Sequence, residues 1–140
     1  MIICGVDDAG RGSMVGPLVI AGVTIDKKNI KKLKSIGVQD SKKLSPKIRE
    51  ILYKKIIEIV DEYYVVRIQP KTIDHNVFKH KLNHLEAKNM AKVIKKLSPQ
   101  TAYVDSCDVD YKRFGKEISL LSTNSKIISR HHADSRFVVV

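Results

Sequence analysis

Short apolar runs rich in β-branched residues alternate along the chain with longer segments in which apolar residues recur every three or four positions. Short apolar runs bounded by polar or turn residues are typical of buried strands. The first run stops at two aspartates, and a glycine-rich segment then separates it from the second run. The pattern predicts five strands, at Ile2–Val6, Leu18–Ile25, Tyr63–Ile68, Ala102–Val104 and Lys126–Ser129.

Helical periodicity follows Ser45-Pro46 and returns over Leu82–Leu97. Ser is a good N-cap and Pro is tolerated in a first helical turn, so the first of these helices is predicted from Pro46 to near Glu62. The dipeptide Ser98-Pro99 is predicted to end the second of these helices. Shorter helical segments are predicted at Asn29–Ser35 and Asp110–Ile118. The element order predicts one α/β domain, with helices covering a mixed sheet that begins with an antiparallel hairpin.

The net charge of the chain indicates which kind of molecule the protein would bind. The 140 residues include 26 Lys and Arg against 15 Asp and Glu, a net charge of +11 and a pI near 9.7. Such a surface suits a polyanion such as nucleic acid, although lysine-rich helices also serve to keep a small domain in solution. No apolar run approaches the ~20 residues that cross a bilayer. The two cysteines, Cys4 and Cys107, are expected to be free thiols in a reducing cytoplasm. We also expect a monomer with no membrane partner.

Four aspartates follow predicted strands. Asp7 and Asp8 come directly after the first strand, Asp105 after the fourth, and Asp134 after the polar stretch that follows the fifth. Polar groups at the ends of strands in an α/β sheet point into the crevice where ligands bind. Converging carboxylates repel one another unless cations neutralise them, and Mg²⁺ or Mn²⁺ prefers such oxygen ligands. Turn or helix capping remains the alternative for Asp105 and Asp134.

Two further motifs suit phosphate or sugar binding. Gly10-Arg11-Gly12 can expose backbone N–H groups to a ligand, and it is equally compatible with a plain turn. Asp40-Ser41-Lys42-Lys43-Leu44 places a hydroxyl and two ammonium groups before a helix, as a phosphate cradle or as an ordinary charged loop. His131-His132-Ala133-Asp134 lacks a third Cys or His ligand at a familiar zinc spacing, which disfavours a zinc site.

Taken in order, the motifs resemble those of type 2 ribonuclease H (ribonuclease HII), especially its archaeal members. The matching segments span almost the whole chain and are Asp7–Gly12 with Gly16-Pro17-Leu18, Asp40–Leu44, Tyr103–Cys107 and His131–Phe137. The resemblance implies an RNase H-like fold, a mixed sheet of five strands flanked by helices. It also implies that residues 1–140 form the catalytic domain of that family.

The implied activity is endonucleolytic cleavage of RNA in RNA/DNA hybrids and at ribonucleotides embedded in duplex DNA, giving 3′-hydroxyl and 5′-phosphate ends. By the resemblance, two Mg²⁺ or Mn²⁺ ions are held by Asp7, Asp8, Asp105 and Asp134. Gly10, Arg11 and Gly12 would contact the 2′-hydroxyl region, the feature that distinguishes RNA from DNA. Backbone phosphates would be held by Ser41, Lys42 and Lys43.

Three features depart from the family pattern. Asp8 stands where the family carries Glu, and it is one methylene shorter. His132 stands where relatives usually carry Lys. The family continues with a C-terminal helical region that is absent here, and the apolar Val138–Val140 end suggests a truncated form whose substrate platform is incomplete.

Two other functions remain open. Another RNase H-like nuclease, such as a resolvase or a transposase core, would also gather acids at strand ends. A catalytically weak or silent nucleic-acid-binding domain is the alternative from a different class, and Asp8 and the missing C-terminal region both favour it.

Overall fold

The structure is a computed structural model that describes residues 1–9, 18–38, 44–69, 79–122, 124–133, 137 and 139–140, with the backbone alone described at 79–81. It contains the five predicted strands as β1 to β5. Their bounds are Ile2–Ala9, Leu18–Asp26, Glu62–Ile68, Thr101–Asp105 and Lys126–Arg130. They form one sheet in the order β3-β2-β1-β4-β5. The first three strands pair antiparallel, and β4 and β5 add parallel to β1, which confirms the predicted mixed sheet with an initial hairpin.

In the described residues, four α-helices connect the strands. Their bounds are Ile30–Ser35 for α1, Pro46–Ile59 for α2, Lys79–Leu97 for α3 and Tyr111–Ser122 for α4, and a short 3-10 helix at Lys27–Asn29 precedes α1. Ser45 caps α2 as expected, because its side chain accepts a hydrogen bond from the backbone N–H of Ile48. In the described segments, no helix combines the length and hydrophobicity needed to cross a membrane.

Strand β1 is longer than its apolar run. The sequence predicted an end at Val6, but pairing with β2 continues to Ala9, with Asp7 opposite Ala21 and Asp8 opposite Ile20. The two aspartates therefore lie inside the strand and not after it. An apolar run marks only buried positions, and the half-buried aspartates continue the backbone ladder without extending that run.

Each face of the sheet carries a hydrophobic cluster. The first cluster lies under α3 and α4 and includes Cys4, Val6 and Ile20. The second lies under α1 and α2 and includes Ile3 and Ile25. Because successive strand residues point to opposite faces, odd positions of β1 face the second cluster and even positions face the first.

The last described residues of the chain complete the second cluster. Val139 is buried there, and the ring of Phe137 stacks on that of Tyr103 with centroids 4.4 Å apart. The Val139 backbone crosses Gly5 so closely that an added Cβ would lie 1.9 Å from the Val139 carbonyl oxygen. Gly5 thus lets this segment lie directly on the central strand.

Candidate active site

Asp7 and Asp105 occupy neighbouring positions on one face of the sheet. β1 and β4 pair in parallel register up to Val6 and Val104, so the next residue of each strand is one of the two aspartates. Ile3 and Tyr103 of the same two strands belong to the second cluster, and alternation places Asp7 and Asp105 on that same face. Neighbouring strands lie about 4.8 Å apart, so strand pairing brings these two acids together from distant parts of the sequence.

The Asp105 carboxylate is oriented by a backbone amide. The N–H of Ala133 donates to Asp105 Oδ1 at 3.2 Å. Ala133 is fully buried and follows His132, whose φ of 53° lies in the left-handed region. The turn after β5 therefore returns toward the end of β4 and fixes one carboxylate oxygen of Asp105.

Asp8 occupies a different side of the strand from Asp7. Its row across the sheet runs through Ile20 to Val66, and both of these residues pack in or against the first cluster. Asp8 also donates its backbone N–H to Asp7 Oδ1 at 2.8 Å, which restrains the neighbouring carboxylate. Alternation along β1 and its pairing with β4 thus place Asp7 and Asp105 on one face of the sheet. Asp8 lies on the other face, which packs against α3.

An ion pair between Arg113 and the buried carboxylate of Asp108 supports the loop between β4 and α4. Arg113 Nη2 donates to both carboxylate oxygens of Asp108, at 3.0 and 2.9 Å, and the Asp108 side chain is only 7% exposed. Burial acts to raise the pKa of Asp108, but the N–H of Asp110 and the guanidinium of Arg113 outweigh it, so the pKa lies below its ordinary value. Asp110 accepts the Arg113 N–H at 3.1 Å and caps α4.

The same loop holds the turn that carries Ala133. His131 Nε2 lies 2.7 Å from the backbone oxygen of Asp108, and its ring meets that of Tyr111 edge-on at 5.2 Å. The Arg130 guanidinium lies over the Tyr111 ring, 5.3 Å from its centroid. Contacts from two residues of β5 and its turn therefore hold the segment that reaches Asp105.

Several predicted site residues lie outside the described part of the chain. They are Gly10, Arg11, Gly12, Ser41, Lys42, Lys43 and Asp134. Asp7, Asp8 and Asp105 are described, and only Asp7 and Asp105 share a face. Within the described residues, no three His, Cys, Asp or Glu side chains are grouped so as to hold a metal ion.

The chemistry of the described donors nevertheless fits a hard divalent cation. Asp7 and Asp105 contribute carboxylate oxygens, which Mg²⁺ and Mn²⁺ prefer, and Mg²⁺ is commonly bound by one or two carboxylates with water completing its shell. His131 is engaged with the Asp108 carbonyl through Nε2, and His132 is exposed.

Sequence reasoning missed the supporting residues around Asp105. The Ala133 amide, the Asp108–Arg113 pair and Gly5 were not singled out. Asp110 offered a local signal for the start of α4, because Asp is a favoured N-cap residue, but it does not identify the Asp108–Arg113 pair. The Ala133 contact has no such signal, because a backbone N–H is common to every residue except proline.

Comparisons with known proteins agree with the resemblance. The family model described as Ribonuclease HII matches residues 4–140. A Ribonuclease HII from Cenarchaeum symbiosum (strain A) is 53% identical over the whole chain, which covers 68% of that relative. A Ribonuclease HII from Thermococcus sibiricus is 47% identical over the whole chain, which covers 63% of that relative.

A solved structure shows the same architecture. The crystal structure of the ribonuclease H2 from Pyrococcus horikoshii OT3 superposes with a TM-score of 0.91 at 45% identity, over 100% of this chain and 67% of that one. The expected RNase H-like fold, a mixed five-stranded sheet flanked by helices, is confirmed. The chain spans about two thirds of the length of these relatives.

Proposed function

The chain belongs to the ribonuclease HII family, and on that premise we propose that it is a metal-dependent endoribonuclease that hydrolyses the RNA strand of RNA/DNA hybrids. The proposal extends to single ribonucleotides embedded in duplex DNA, with 3′-hydroxyl and 5′-phosphate products. The observation that carries it is the placement of Asp7 beside Asp105 on one face of the sheet.

The two aspartates have related roles in the proposed site. Asp7 and Asp105 offer carboxylate oxygens at neighbouring strand ends. The Ala133 N–H restrains one oxygen of Asp105, and the Asp8 N–H restrains one oxygen of Asp7. Each carboxylate is thereby oriented before substrate arrives, which lowers the reorganisation needed during reaction.

Asp7, Asp8, Asp105 and Asp134 are the proposed metal ligands, with Asp134 directly following the buried Ala133 in the sequence. When bound, two Mg²⁺ or Mn²⁺ ions supply activation of the attacking water and stabilisation of the leaving 3′-oxygen. The carboxylates would hold these ions, while the basic surface holds the nucleic acid.

Substrate discrimination is assigned to the glycine-rich motif. We propose that Gly10, Arg11 and Gly12 contact the 2′-hydroxyl at the cleaved linkage, the one local difference between RNA and DNA sugars. Ser41, Lys42 and Lys43 are proposed to bind backbone phosphates ahead of α2. A net charge of +11 supports a polyanionic substrate.

The direct test is cleavage by Asp7→Asn. Replacing one carboxylate with an amide keeps the shape and removes the charge. We expect Mg²⁺-dependent cleavage of a hybrid to fall by more than about 100-fold, because loss of even an outer-shell partner of a metal ligand costs 10- to 100-fold. Binding of the uncut hybrid in EDTA should persist, measured by fluorescence anisotropy.

Asp61→Asn is the matched control, since it makes the same change at the opposite end of the sheet, where Asp61 donates its N–H to the Thr24 carbonyl. That variant should cleave like the wild type. Equal cleavage by Asp7→Asn and the wild type would refute the assignment of Asp7. Cleavage of branched all-DNA substrates in preference to hybrids would instead favour a resolvase-like nuclease.

A nucleic-acid-binding domain without catalysis is the second candidate. The observation favouring it is that Asp8, one methylene shorter than the family's Glu, lies on the strand position facing away from Asp7 and Asp105. Hybrid binding that is unchanged in EDTA, together with no cleavage on adding Mn²⁺, would establish that function. Mn²⁺-dependent cleavage would exclude it.

A further inference from the structure

The exposed side of α3 carries three lysines aligned along the helix. Lys88, Lys92 and Lys95 are spaced by four and three residues, which places them on one side of the helix. All three are exposed. Together with β3 residues they line a groove of about 630 Å³, which we call the α3 groove. Its described lining includes Val66, Arg67, Leu85, Lys88, Lys92 and Lys95.

The α3 groove is strongly cationic. Its described lining includes no Asp or Glu. Within the described part of the chain, the three lysines form no ion pair, whereas His84 on the same helix pairs with Glu117 of α4. Like charges at these spacings disfavour the helix, and a bound anion would relieve that repulsion. Arg67 lines the groove as well, although strand alternation turns its side chain to the face of β3 opposite that of Val66.

Strand pairing relates the groove to the candidate active site. Asp8 lies opposite Ile20, and Ile20 lies opposite Val66, so the three share one row and one face of the sheet. Val66 lines the groove. Two strand spacings separate the ends of this row, which places the nearest part of the groove about 10 Å from Asp8. A ligand that extends outward from the site along this face would reach the lysines.

We propose that the α3 groove binds the phosphate backbone of the nucleic-acid duplex that flanks the cleaved linkage. This inference rests on the proposed function and extends its substrate contacts to α3. From Lys88 to Lys95 the helix rises about 10 Å, and a nucleic-acid strand carries one charge per ~3.4 Å of duplex axis, so the row matches about three successive phosphates. Apolar lining such as Leu85 supports the lysine stems and leaves the ammonium groups to the ligand.

The test uses the full chain with Lys88→Gln, Lys92→Gln and Lys95→Gln combined. The control combines Lys31→Gln, Lys32→Gln and Lys34→Gln, three exposed lysines of α1 that make the same change in net charge. Binding is measured by anisotropy in EDTA over a salt series. One hairpin duplex extends about three base pairs beyond the ribonucleotide, roughly 10 Å, and another extends about ten.

On the long duplex, we expect the slope of log affinity against log salt to decrease by roughly 2 to 3 in the α3 variant, since each lost phosphate contact contributes about 0.9. KM for the long substrate should rise at least tenfold with kcat unchanged. The short duplex should show no difference, and the α1 variant should match the wild type on both.

Equal losses in the α3 and α1 variants would overturn the proposal, because net charge alone would then explain the effect. Unchanged duplex binding by the α3 variant would also overturn it, and selective loss of binding to a polyglutamate peptide would assign the groove to an acidic protein. The binding arm requires no cleavage. A wild type that fails to cut hybrids would therefore refute the proposed function while leaving the groove to be decided separately.

Discussion

At Gly5 the backbone of β1 lies directly against the backbone of Val139. A Cβ there would lie 1.9 Å from the Val139 oxygen and 2.3 Å from the Val139 carbonyl carbon. Backbone atoms cannot rotate away as a flexible side chain can. We therefore expect Gly5→Ala to lower the free energy of unfolding by about 1–3 kcal/mol, measured by urea denaturation.

Gly37→Ala is the comparison, because a Cβ at Gly37 meets nothing within 4 Å, although its φ of +83° carries a local backbone cost. That variant should leave the packing of Phe137 on Tyr103 intact. The aromatic proton chemical shifts of the two rings, measured by NMR, test this. Gly5→Ala should disturb those shifts. An undisturbed spectrum with wild-type stability would contradict the close approach.

Asp8 gives a second prediction at the residue scale. Its side chain is one methylene shorter than the Glu that the resemblance implies at this position, and its strand position faces α3. A longer side chain reaches further around the strand end. We expect Asp8→Glu to raise Mg²⁺-dependent cleavage of a hybrid, measured as kcat/KM, with Asp61→Glu unchanged. Equal or lower activity for Asp8→Glu would refute this interpretation.

Asp108 links stability to pH. Its folded-state pKa lies below the ordinary 3.8, so the folded state holds the ionised carboxylate more strongly than the unfolded state does. The resulting stabilisation is complete above that ordinary value and is lost as the pH falls through the folded-state pKa. Urea unfolding from pH 7 to about pH 2 should show a smaller acid-induced loss in Asp108→Asn than in the wild type.

Glu58→Gln, on the exposed side of α2, is the control for that series and should follow the wild type. Parallel curves for Asp108→Asn and the wild type would show that the pair with Arg113 contributes nothing to the pH dependence.

At the scale of elements, the start of α2 was predicted correctly, whereas α3 was predicted from Leu82 and begins at Lys79. Ser45 caps α2 and Pro46 opens it, both as the sequence indicated, because capping chemistry is local. Ser45→Ala should cost about 1 kcal/mol of unfolding free energy, and Ser45→Asp should restore most of it. Ser35→Ala, at the exposed end of α1, is the matched control. No loss in Ser45→Ala would show that the cap is dispensable.

Helix and strand ends were less predictable, for reasons that the packing explains. The predicted α2 continued to Glu62, but the helix ends at Ile59 because Glu62 already pairs with Thr24 in the sheet. α4 continues past the predicted Ile118 to Ser122, which is buried. Such limits depend on tertiary partners that a single sequence does not identify.

At the scale of the molecule, the sheet separates two clusters, and Cys4 lies in the strand at its centre. Its thiol is fully buried, and burial raises its pKa to about 12. In a Cys107→Ser variant, we expect Cys4 to react with a disulfide reagent only at the rate of global unfolding, since exposing β1 requires the whole sheet to open. In the wild type, the half-buried Cys107 should react first. Rapid labelling of Cys4 in the native variant would contradict this burial.

The sequence located the principal acids of the site but not their arrangement. Asp7 and Asp105 were found because each directly follows an apolar run that predicts a strand, and their neighbouring positions depend on the parallel pairing of β1 with β4. The opposite orientation of Asp8 depends on β1 continuing to Ala9, which the apolar run did not show. The positions of Gly10–Gly12, Ser41–Lys43 and Asp134 stay predictions.

The parallel pairing of β1 with β4 has a consequence for biosynthesis. Asp105 and Ala133 follow Asp7 by 98 and 126 residues in the sequence, so they leave the ribosome well after it. A nascent chain therefore cannot assemble this pair of acids early, and cleavage should be silent until the late strands dock. The order of synthesis therefore delays the candidate site until the second half of the sheet has formed.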